Sequence, residues 1–329
     1  MAQEEVTDRL GRQLRDLRIS VTDRCNFRCP YCMPRERFGD EHTFLPRRAF
    51  LSFDEIEKVV RACVPLGLDK VRLTGGEPLL RPGLSDLVNR LSDAGVDIAL
   101  TTNGSLLRRY AQDLSKAGLK RVTISLDAID EDVHQQMSDS SVTVTQILDG
   151  IEAAREAGLS PIKVNCVIRR GVNEEQASKL VHHFRDTGVI VRFIEFMDVG
   201  ETNSWNNDEV ITGEMMREML DNLQPVKPNH IGEVANRYKR GNQEIGFIES
   251  VSKPFCGDCN RARISADGSL YTCLFASKGN DLKSMLRMDA TKQQIADAVR
   301  NIWSKRDDAY SQNRGNKVQE KVEMSFIGG

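Results

Sequence analysis

The sequence predicts an α/β fold, an incomplete (βα)6 triosephosphate-isomerase-like barrel followed by a C-terminal α+β region. Between residues 17 and 197, six short apolar, β-branched segments alternate with helical patterns. This spacing is typical of parallel strands joined by right-handed helical crossovers. Six units are too few for a closed barrel of eight strands, so the barrel is expected to be open. The pattern changes after residue 197.

The six predicted strands cover residues 17–22, 70–74, 97–102, 121–126, 161–168 and 189–196. Helices are expected to begin at Ser52, where Glu55 completes a capping box, and to cover 84–94, 106–117, 143–157 and 174–187. In the C-terminal region we expect helices at 213–223, 281–288 and 290–305 and strands at 231–238 and 244–248. Asp267-Gly268 is predicted to be a hairpin turn.

Several predicted strands alternate an apolar face with a polar one. Arg72 and Thr74 share one face of the second strand, and Lys163 and Asn165 share one face of the fifth. Burying unpaired charge is costly, so this face is expected to line a wet or ligand-filled lumen. A structural network of ion pairs across the lumen is the alternative.

The chain divides into four predicted regions. Residues 1–16 form an N-terminal extension, and 17–197 form the partial barrel. Residues 198–306 form a C-terminal region that closes the barrel, and 307–329 form a tail that ends in Gly-Gly.

Composition narrows the function classes. The 329 residues include 46 Lys and Arg and 48 Asp and Glu, giving a formal net charge of −2. No global positive field therefore points to nucleic acid or a membrane surface. No apolar run approaches the ~20 residues of a membrane span, and the acidic start does not resemble a signal peptide. A cytoplasmic protein with no membrane or nucleic-acid partner is predicted.

Six of the eight cysteines fall in two groups. Cys25, Cys29 and Cys32 form a C-x3-C-x2-C pattern, and a second set forms C-x2-C-x13-C at residues Cys256, Cys259 and Cys273. Three thiolates leave one position short of the four ligands of structural zinc, and no histidine completes either group. A four-iron cluster held by three thiolates keeps one iron open for a reacting ligand. The alternative for the second group is a structural zinc site that uses Asp258. The isolated Cys63 and Cys166 are predicted to be buried apolar residues.

These motifs resemble those of a known family. The first cysteine group contains Tyr31, and Gly75-Gly76-Glu77-Pro78 follows the second predicted strand. Together they resemble the radical S-adenosylmethionine (SAM) superfamily. With the second cysteine group, Asn260-Arg261-Ala262-Arg263 and the terminal Gly-Gly, the chain from Leu17 to Gly329 resembles the GTP 3′,8-cyclase family of molybdenum cofactor biosynthesis.

The resemblance implies two [4Fe–4S] clusters, SAM and the substrate GTP. A 5′-deoxyadenosyl radical would abstract the ribose 3′ hydrogen, and the product would be (8S)-3′,8-cyclo-7,8-dihydroguanosine 5′-triphosphate. The cofactors carry this chemistry, and no catalytic side chain is assigned. The family pattern places Tyr31, Gly76, Ser125 and Met197 around SAM, where the glycine pair is expected to let the backbone approach the methionine moiety. A core residue at a strand end is the alternative for Met197.

The triphosphate carries about four negative charges and requires Arg or Lys donors. The family pattern maps GTP contacts onto Arg18, Arg72, Thr101, Lys163, Arg261 and Arg263. In an extended segment Arg261 and Arg263 point the same way, beside Cys259. Solvated surface charges are the alternative for these arginines.

The terminal Gly328 and Gly329 have three interpretations: a frayed end, a thiocarboxylate carrier end, and the favoured one, a tail that enters the active site. The implied partners are GTP, an electron donor and cyclic pyranopterin monophosphate synthase (MoaC), which would receive the product. The resemblance allows a homodimer. Two other functions remain open, a radical SAM peptide-modifying enzyme with an auxiliary cluster and a zinc-dependent module that binds nucleic acid.

Overall fold

The computed structural model describes residues 5–314 and 320–329. Residues 1–4 of the predicted N-terminal extension and residues 315–319 of the predicted tail therefore lie outside the described residues.

The strands of the described chain belong to one mixed sheet. The six strands of the predicted barrel are β1 to β6, at Asp16–Ser20, Lys70–Thr74, Asp97–Thr102, Arg121–Ser125, Ile162–Ile168 and Ile190–Glu195. The C-terminal region adds β7 to β12, at Gln224–Val226, Asn236–Arg240, Gln243–Ile248, Arg261–Ile264, Ser269–Tyr271 and Asn280–Asp281. The order across the sheet is β12-β11-β10-β1-β2-β3-β4-β5-β6-β9-β8-β7.

Strands of the C-terminal region extend the barrel sheet at both edges. β9 pairs in parallel with β6, and β10 pairs in parallel with β1, where Leu17 lies opposite Ala262 and Arg18 opposite Arg263. The parallel part of the sheet thus has eight strands, of which the sequence predicted six within the barrel. The predicted fold class is confirmed, and the C-terminal region contributes walls of the barrel as well as its cover. The predicted boundaries at residues 16, 197 and 306 stay predictions.

Helices pack against the outer face of the sheet, and the apolar core lies between the helices and the sheet. They are α1 to α11, at Arg35–Phe38, Phe53–Cys63, Leu84–Ser92, Leu107–Lys116, Glu131–Ser138, Val144–Glu156, Gln176–His183, Gly213–Glu218, Lys283–Arg287, Lys292–Ser304 and Met324–Ile327. The predicted capping box at Ser52 and Glu55 is present at the start of α2, and α10 packs against α2. Val71 and Leu73 of β2 are fully buried on the helix side of the sheet, which leaves Arg72 and Thr74 for the lumen.

The structure differs from the prediction in several places. The strand expected at 231–238 begins only at Asn236, because residues 231–235 bend across the loop of the second cysteine group. α5 and β7 were not predicted; each is short, and β7 forms only by pairing with β8. No helix in the described part of the chain has the length and apolar character needed to cross a bilayer.

Candidate active site

The open barrel encloses a cavity of about 1280 Å³. It is lined by every site residue that the sequence predicted except Gly328, namely Arg18, Cys25, Cys29, Tyr31, Cys32, Arg72, Gly76, Thr101, Ser125, Lys163, Met197, Cys256, Cys259, Arg261, Arg263, Cys273 and Gly329. The two cysteine groups lie more than 220 residues apart in the sequence and meet in this one space because β10 pairs with β1.

The first cysteine group lies on the loop that follows β1. The three thiols are free and partly buried, and the backbone N–H of Phe27 donates to Cys25 Sγ at 3.4 Å. Burial raises the pKa of the Cys25 thiol to about 11, and burial next to the other two thiols raises the pKa of Cys29 well above its ordinary value. Thiols whose pKa values are raised by burial are costly to ionise alone, and bonding to a cationic iron cluster stabilises their thiolate form.

The glycine pair after β2 packs against this loop. A Cβ at Gly75 would lie 2.5 Å from the carbonyl oxygen of Thr22, and a Cβ at Gly76 would lie 2.3 Å from that of Arg24. The N–H of Glu77 donates to the Arg24 carbonyl at 2.7 Å. The expectation from sequence was that these glycines make room for SAM. The structure shows a further reason for the glycines, because the absence of both side chains lets the cysteine loop dock at the end of β2. Their role towards SAM stays a prediction.

The second cysteine group surrounds the start of β10. Arg261 Nη2 donates to Cys259 Sγ at 3.3 Å, and the N–H of Phe275 donates to Cys273 Sγ at 3.5 Å. Burial disfavours the Cys259 thiolate, but the charges of Arg261 and Arg306 outweigh it and lower the thiol pKa to about 6. This environment stabilises a thiolate, which is the form that ligates a metal.

Both groups fit an iron–sulfur cluster by the chemistry of their donors. Within residues 5–314 and 320–329, no three His, Cys, Asp or Glu side chains are close enough together to ligate a single metal ion. A four-iron cluster does not require such an arrangement, because each thiolate binds a different iron. Asp258, the alternative zinc ligand, is an exposed residue.

Six cations line the lumen with no acidic partner within ion-pair distance in the described chain: Arg18, Arg72, Lys163, Arg192, Arg261 and Arg263. Arg72 Nη1 donates to the hydroxyls of Thr101 at 3.0 Å and Thr123 at 3.2 Å. Burial, together with Arg192 and Arg72, lowers the pKa of Lys163 to about 8. Ion pairs do occur elsewhere around the cavity, for example at the base of the barrel, where Lys70 pairs with Asp16 at 2.9 Å.

Sequence reasoning missed Arg192. It lies on β6 between the buried Val191 and Phe193, and its Nε donates to Asn165 at 2.9 Å. Burial and the charge of Arg72 lower its pKa to about 9. The alternation that identified Arg72 on β2 is also present on β6 and could have identified Arg192.

The residues that the family pattern assigns to SAM lie at the end of the barrel that carries the first cysteine group. Tyr31 donates its hydroxyl to Asp127 at 2.6 Å, and burial raises the pKa of that carboxyl to about 6. Ser125 is the last residue of β4. Met197 follows β6, is only partly buried and accepts a hydrogen bond from Ser250 at 3.4 Å. Because its side chain lines the cavity, Met197 is not simply a core residue.

The end of the chain reaches the same cavity. Ile327 of α11 is fully buried, Arg263 Nη1 donates to the Gly328 carbonyl, and Gly329 lines the cavity. Gly328 has a φ of +78°, and a Cβ there would lie 2.4 Å from Thr74 Cγ2. The described end of the chain is therefore packed against β1 and β2.

Two family models match the chain. The Radical SAM superfamily model matches residues 19–184, and the Molybdenum Cofactor Synthesis C model matches residues 189–312. Curated proteins named GTP 3′,8-cyclase match almost the whole chain. One from Xanthomonas axonopodis pv. citri is 50% identical and covers 98% of both chains; another from Staphylococcus epidermidis is 45% identical and covers 99% of both.

A solved structure supports the fold independently. Streptococcus suis SuiB bound to S-adenosylmethionine is similar with a TM-score of 0.62 at 14% identity, over 92% of this chain and 69% of that chain. At this identity the likeness shows a common fold and no more. The relatives at 45–50% identity carry the assignment further. The family predicted from the cysteine and glycine motifs is confirmed: the chain belongs to the radical SAM superfamily and, within it, to the GTP 3′,8-cyclase family.

Proposed function

We propose that this enzyme cyclises GTP to (8S)-3′,8-cyclo-7,8-dihydroguanosine 5′-triphosphate, an early step of molybdenum cofactor biosynthesis. The observation that carries the proposal is the cavity, which is lined by two three-thiol groups and by cations that have no acidic partner among the described residues. Membership of the GTP 3′,8-cyclase family supports the same reaction.

The first cysteine group, Cys25, Cys29 and Cys32, would hold a [4Fe–4S] cluster and leave one iron for SAM. When bound and reduced, the cluster would give one electron to SAM and break its sulfonium C–S bond, releasing methionine and a 5′-deoxyadenosyl radical for abstraction of the ribose 3′ hydrogen. The chain's own residues bind and orient the cofactor. Gly76 holds the cysteine loop on β2, and Tyr31, Ser125 and Met197 surround the space next to it.

The second group, Cys256, Cys259 and Cys273, would hold a second [4Fe–4S] cluster whose open iron binds the guanine. Arg261 donates to the sulfur of Cys259, which supports a role for its charge where the nucleotide would meet the cluster. This second cluster is part of our proposal.

The lumen cations would bind the triphosphate. Their pKa values are lowered by burial and by one another, as for Lys163 and Arg192. Like charges that repel in a buried site are relieved by a polyanion, and about four phosphate charges match this requirement. Arg72 is already oriented by Thr101 and Thr123.

The partners follow from the reaction. An electron donor must reduce the first cluster, and cyclic pyranopterin monophosphate synthase (MoaC) would receive the product. We also propose a cytoplasmic location, and a homodimer is compatible with the family. No side chain is assigned as the proton donor that completes the cyclisation.

Anaerobic turnover tests the proposal. The reconstituted full chain is incubated with SAM, a reductant and, separately, each of GTP, ATP, CTP and UTP, and products are identified by mass spectrometry. We expect 5′-deoxyadenosine and the cyclised nucleotide only with GTP. The Cys25→Ala variant should form neither, because the first cluster loses a ligand.

A chain that cleaves SAM without consuming any nucleotide would contradict the proposal. It would favour the alternative of a peptide-modifying radical enzyme.

A further inference from the structure

A buried network of four charged side chains supports the second cysteine group. Asp8 and Arg12 lie on a short N-terminal hairpin, closed by the pairing of Thr7 with Gln13, and Arg306 and Asp308 follow α10. The side chains of Asp8, Arg12 and Arg306 are 0%, 2% and 1% exposed, and that of Asp308 is 26% exposed. Asp8, Arg12 and the rest of the hairpin lie outside both family matches, which cover residues 19–184 and 189–312.

The two arginines hold the cysteine loop by its backbone. Arg12 Nη1 donates to the carbonyl oxygen of Cys256 at 2.8 Å, and Arg306 Nη1 donates to that of Cys259 at 2.7 Å. One guanidinium is thus committed to each of two neighbouring cysteines. Charge-assisted hydrogen bonds between buried groups are strong and directional, so they restrict where these two thiols can lie.

Other contacts hold the two guanidinium groups on the side that faces away from the cysteine loop. Arg12 Nε donates to Asp8 at 2.6 Å, and Arg306 Nε donates to Asp308 at 3.0 Å. The indole N–H of Trp303 donates to the Arg12 carbonyl at 2.9 Å, and the Arg306 guanidinium lies 4.5 Å from the centre of the Trp303 ring. Both guanidinium groups are therefore held in place before any cluster binds.

The charges of this network cancel. Two guanidinium groups and two carboxylates sum to zero next to a loop that would carry thiolates and iron. The reduction potential of an iron–sulfur cluster depends on nearby net charge and on the hydrogen bonds around its ligands. Removing one cation leaves a net negative charge there, and removing one carboxylate leaves a net positive charge.

We infer that Arg12 and Arg306 are positioning residues for the second cluster, that with Asp8 and Asp308 they set its reduction potential, and that the N-terminal hairpin is therefore part of that cluster's site. The inference rests on the proposed second cluster. It adds residues that neither ligate iron nor contact the nucleotide.

The test uses the full chain with Cys25, Cys29 and Cys32 replaced by alanine, so that only the second group can bind a cluster. Iron content and an EPR-monitored redox titration are measured after anaerobic reconstitution. We expect Arg306→Gln to shift the midpoint potential to more negative values and Asp308→Asn to shift it to more positive values. Arg9→Gln is the control and should leave the potential unchanged, because Arg9 lies on the same hairpin but forms an exposed pair with Asp307, after α10.

Opposite shifts separate charge from loosened structure, since a loosened loop would move both variants in the same direction. Equal potentials in all variants, or shifts of one sign, would overturn the inference. Asp308 is the least buried residue of the network, so Asp308→Asn is the variant expected to keep its iron. If Arg306→Gln binds no iron, the midpoint potential of Asp308→Asn alone decides whether the network sets the potential. An unchanged potential in Asp308→Asn would overturn the inference. If the chain that lacks Cys25, Cys29 and Cys32 binds no iron at all, the proposal of a second cluster would itself be contradicted.

Discussion

Burial lowers the pKa of Lys163 into a pH range in which its effect on GTP binding can be measured. It lies on the lumen face of β5, and burial beside Arg192 and Arg72 lowers its pKa to about 8. The amine is charged below this pH and becomes neutral as the pH rises through it. A charge that helps to bind a triphosphate is thus lost within an accessible pH range.

We therefore expect GTP to bind more weakly as the pH rises above about 8, by up to about tenfold per pH unit. Equilibrium dialysis of the reconstituted protein, between about pH 7 and 9.5, measures this slope. Lys163→Met should bind GTP more weakly and show a smaller slope; the slope that remains would report Arg192, whose pKa burial and the charge of Arg72 lower to about 9. Identical slopes in the two proteins would exclude Lys163 from the phosphate site.

Arg261 links the second cysteine group to the substrate. Its guanidinium donates to Cys259 Sγ at 3.3 Å and lies 5.1 Å from the centre of the Phe255 ring. We expect Arg261→Ala to raise the Kd for GTP by about 10- to 100-fold, the value of a lost charge-assisted hydrogen bond, while SAM binds as before. Isothermal titration of both ligands under anaerobic conditions measures the two effects. Arg155→Ala, on an exposed helix face, is the control, and wild-type GTP affinity in Arg261→Ala would refute the assignment.

At the scale of elements, the alternation of apolar and polar residues predicted most of the barrel strands, and capping residues predicted where helices begin and end. β2 and β3 have the predicted bounds, and the other four barrel strands differ from prediction by one or two residues at an end. The polar faces of β2 and β5 are sufficient to predict Arg72 and Lys163 in the lumen, where the structure has both. Local patterns contain no information on pairing between distant segments. The parallel pairs of β10 with β1 and β9 with β6, and the network around Arg12 and Arg306, were therefore beyond sequence reasoning.

The C-terminal tail gives the prediction for an element. At Gly328, φ is +78° and an added Cβ would lie 2.4 Å from Thr74 Cγ2, so an alanine would force the tail to move. We expect Gly328→Ala to lower turnover by about 100-fold, the effect of a small misplacement in an active site, with iron content and SAM binding retained. Gly158→Ala is the matched control, because Gly158 has a φ of +77° and no atom within 4 Å of an added Cβ. Full turnover in Gly328→Ala would show that the tail has no role in the reaction.

For the whole molecule, the two cysteine groups predict the metal content. With both clusters filled we expect about eight irons per chain, and about four after alanine replaces the three cysteines of either group. Metal analysis after anaerobic reconstitution gives these numbers, and the spectra of the two half-filled proteins identify each cluster. Stoichiometric zinc with no iron would contradict the proposed function and favour a structural zinc protein.

Because β9 and β10 pair with β6 and β1, the two family regions are not separable modules. A fragment that stopped after Met197 would display two bare backbone ladders, each offering unpaired N–H and C=O groups to other copies. Protein engineers who wish to transplant this barrel, or to split the gene for complementation, should therefore keep both flanking strands with it. The same restriction applies to the exchange of the C-terminal half during evolution, because the replacement must keep both strand pairings, β9 with β6 and β10 with β1.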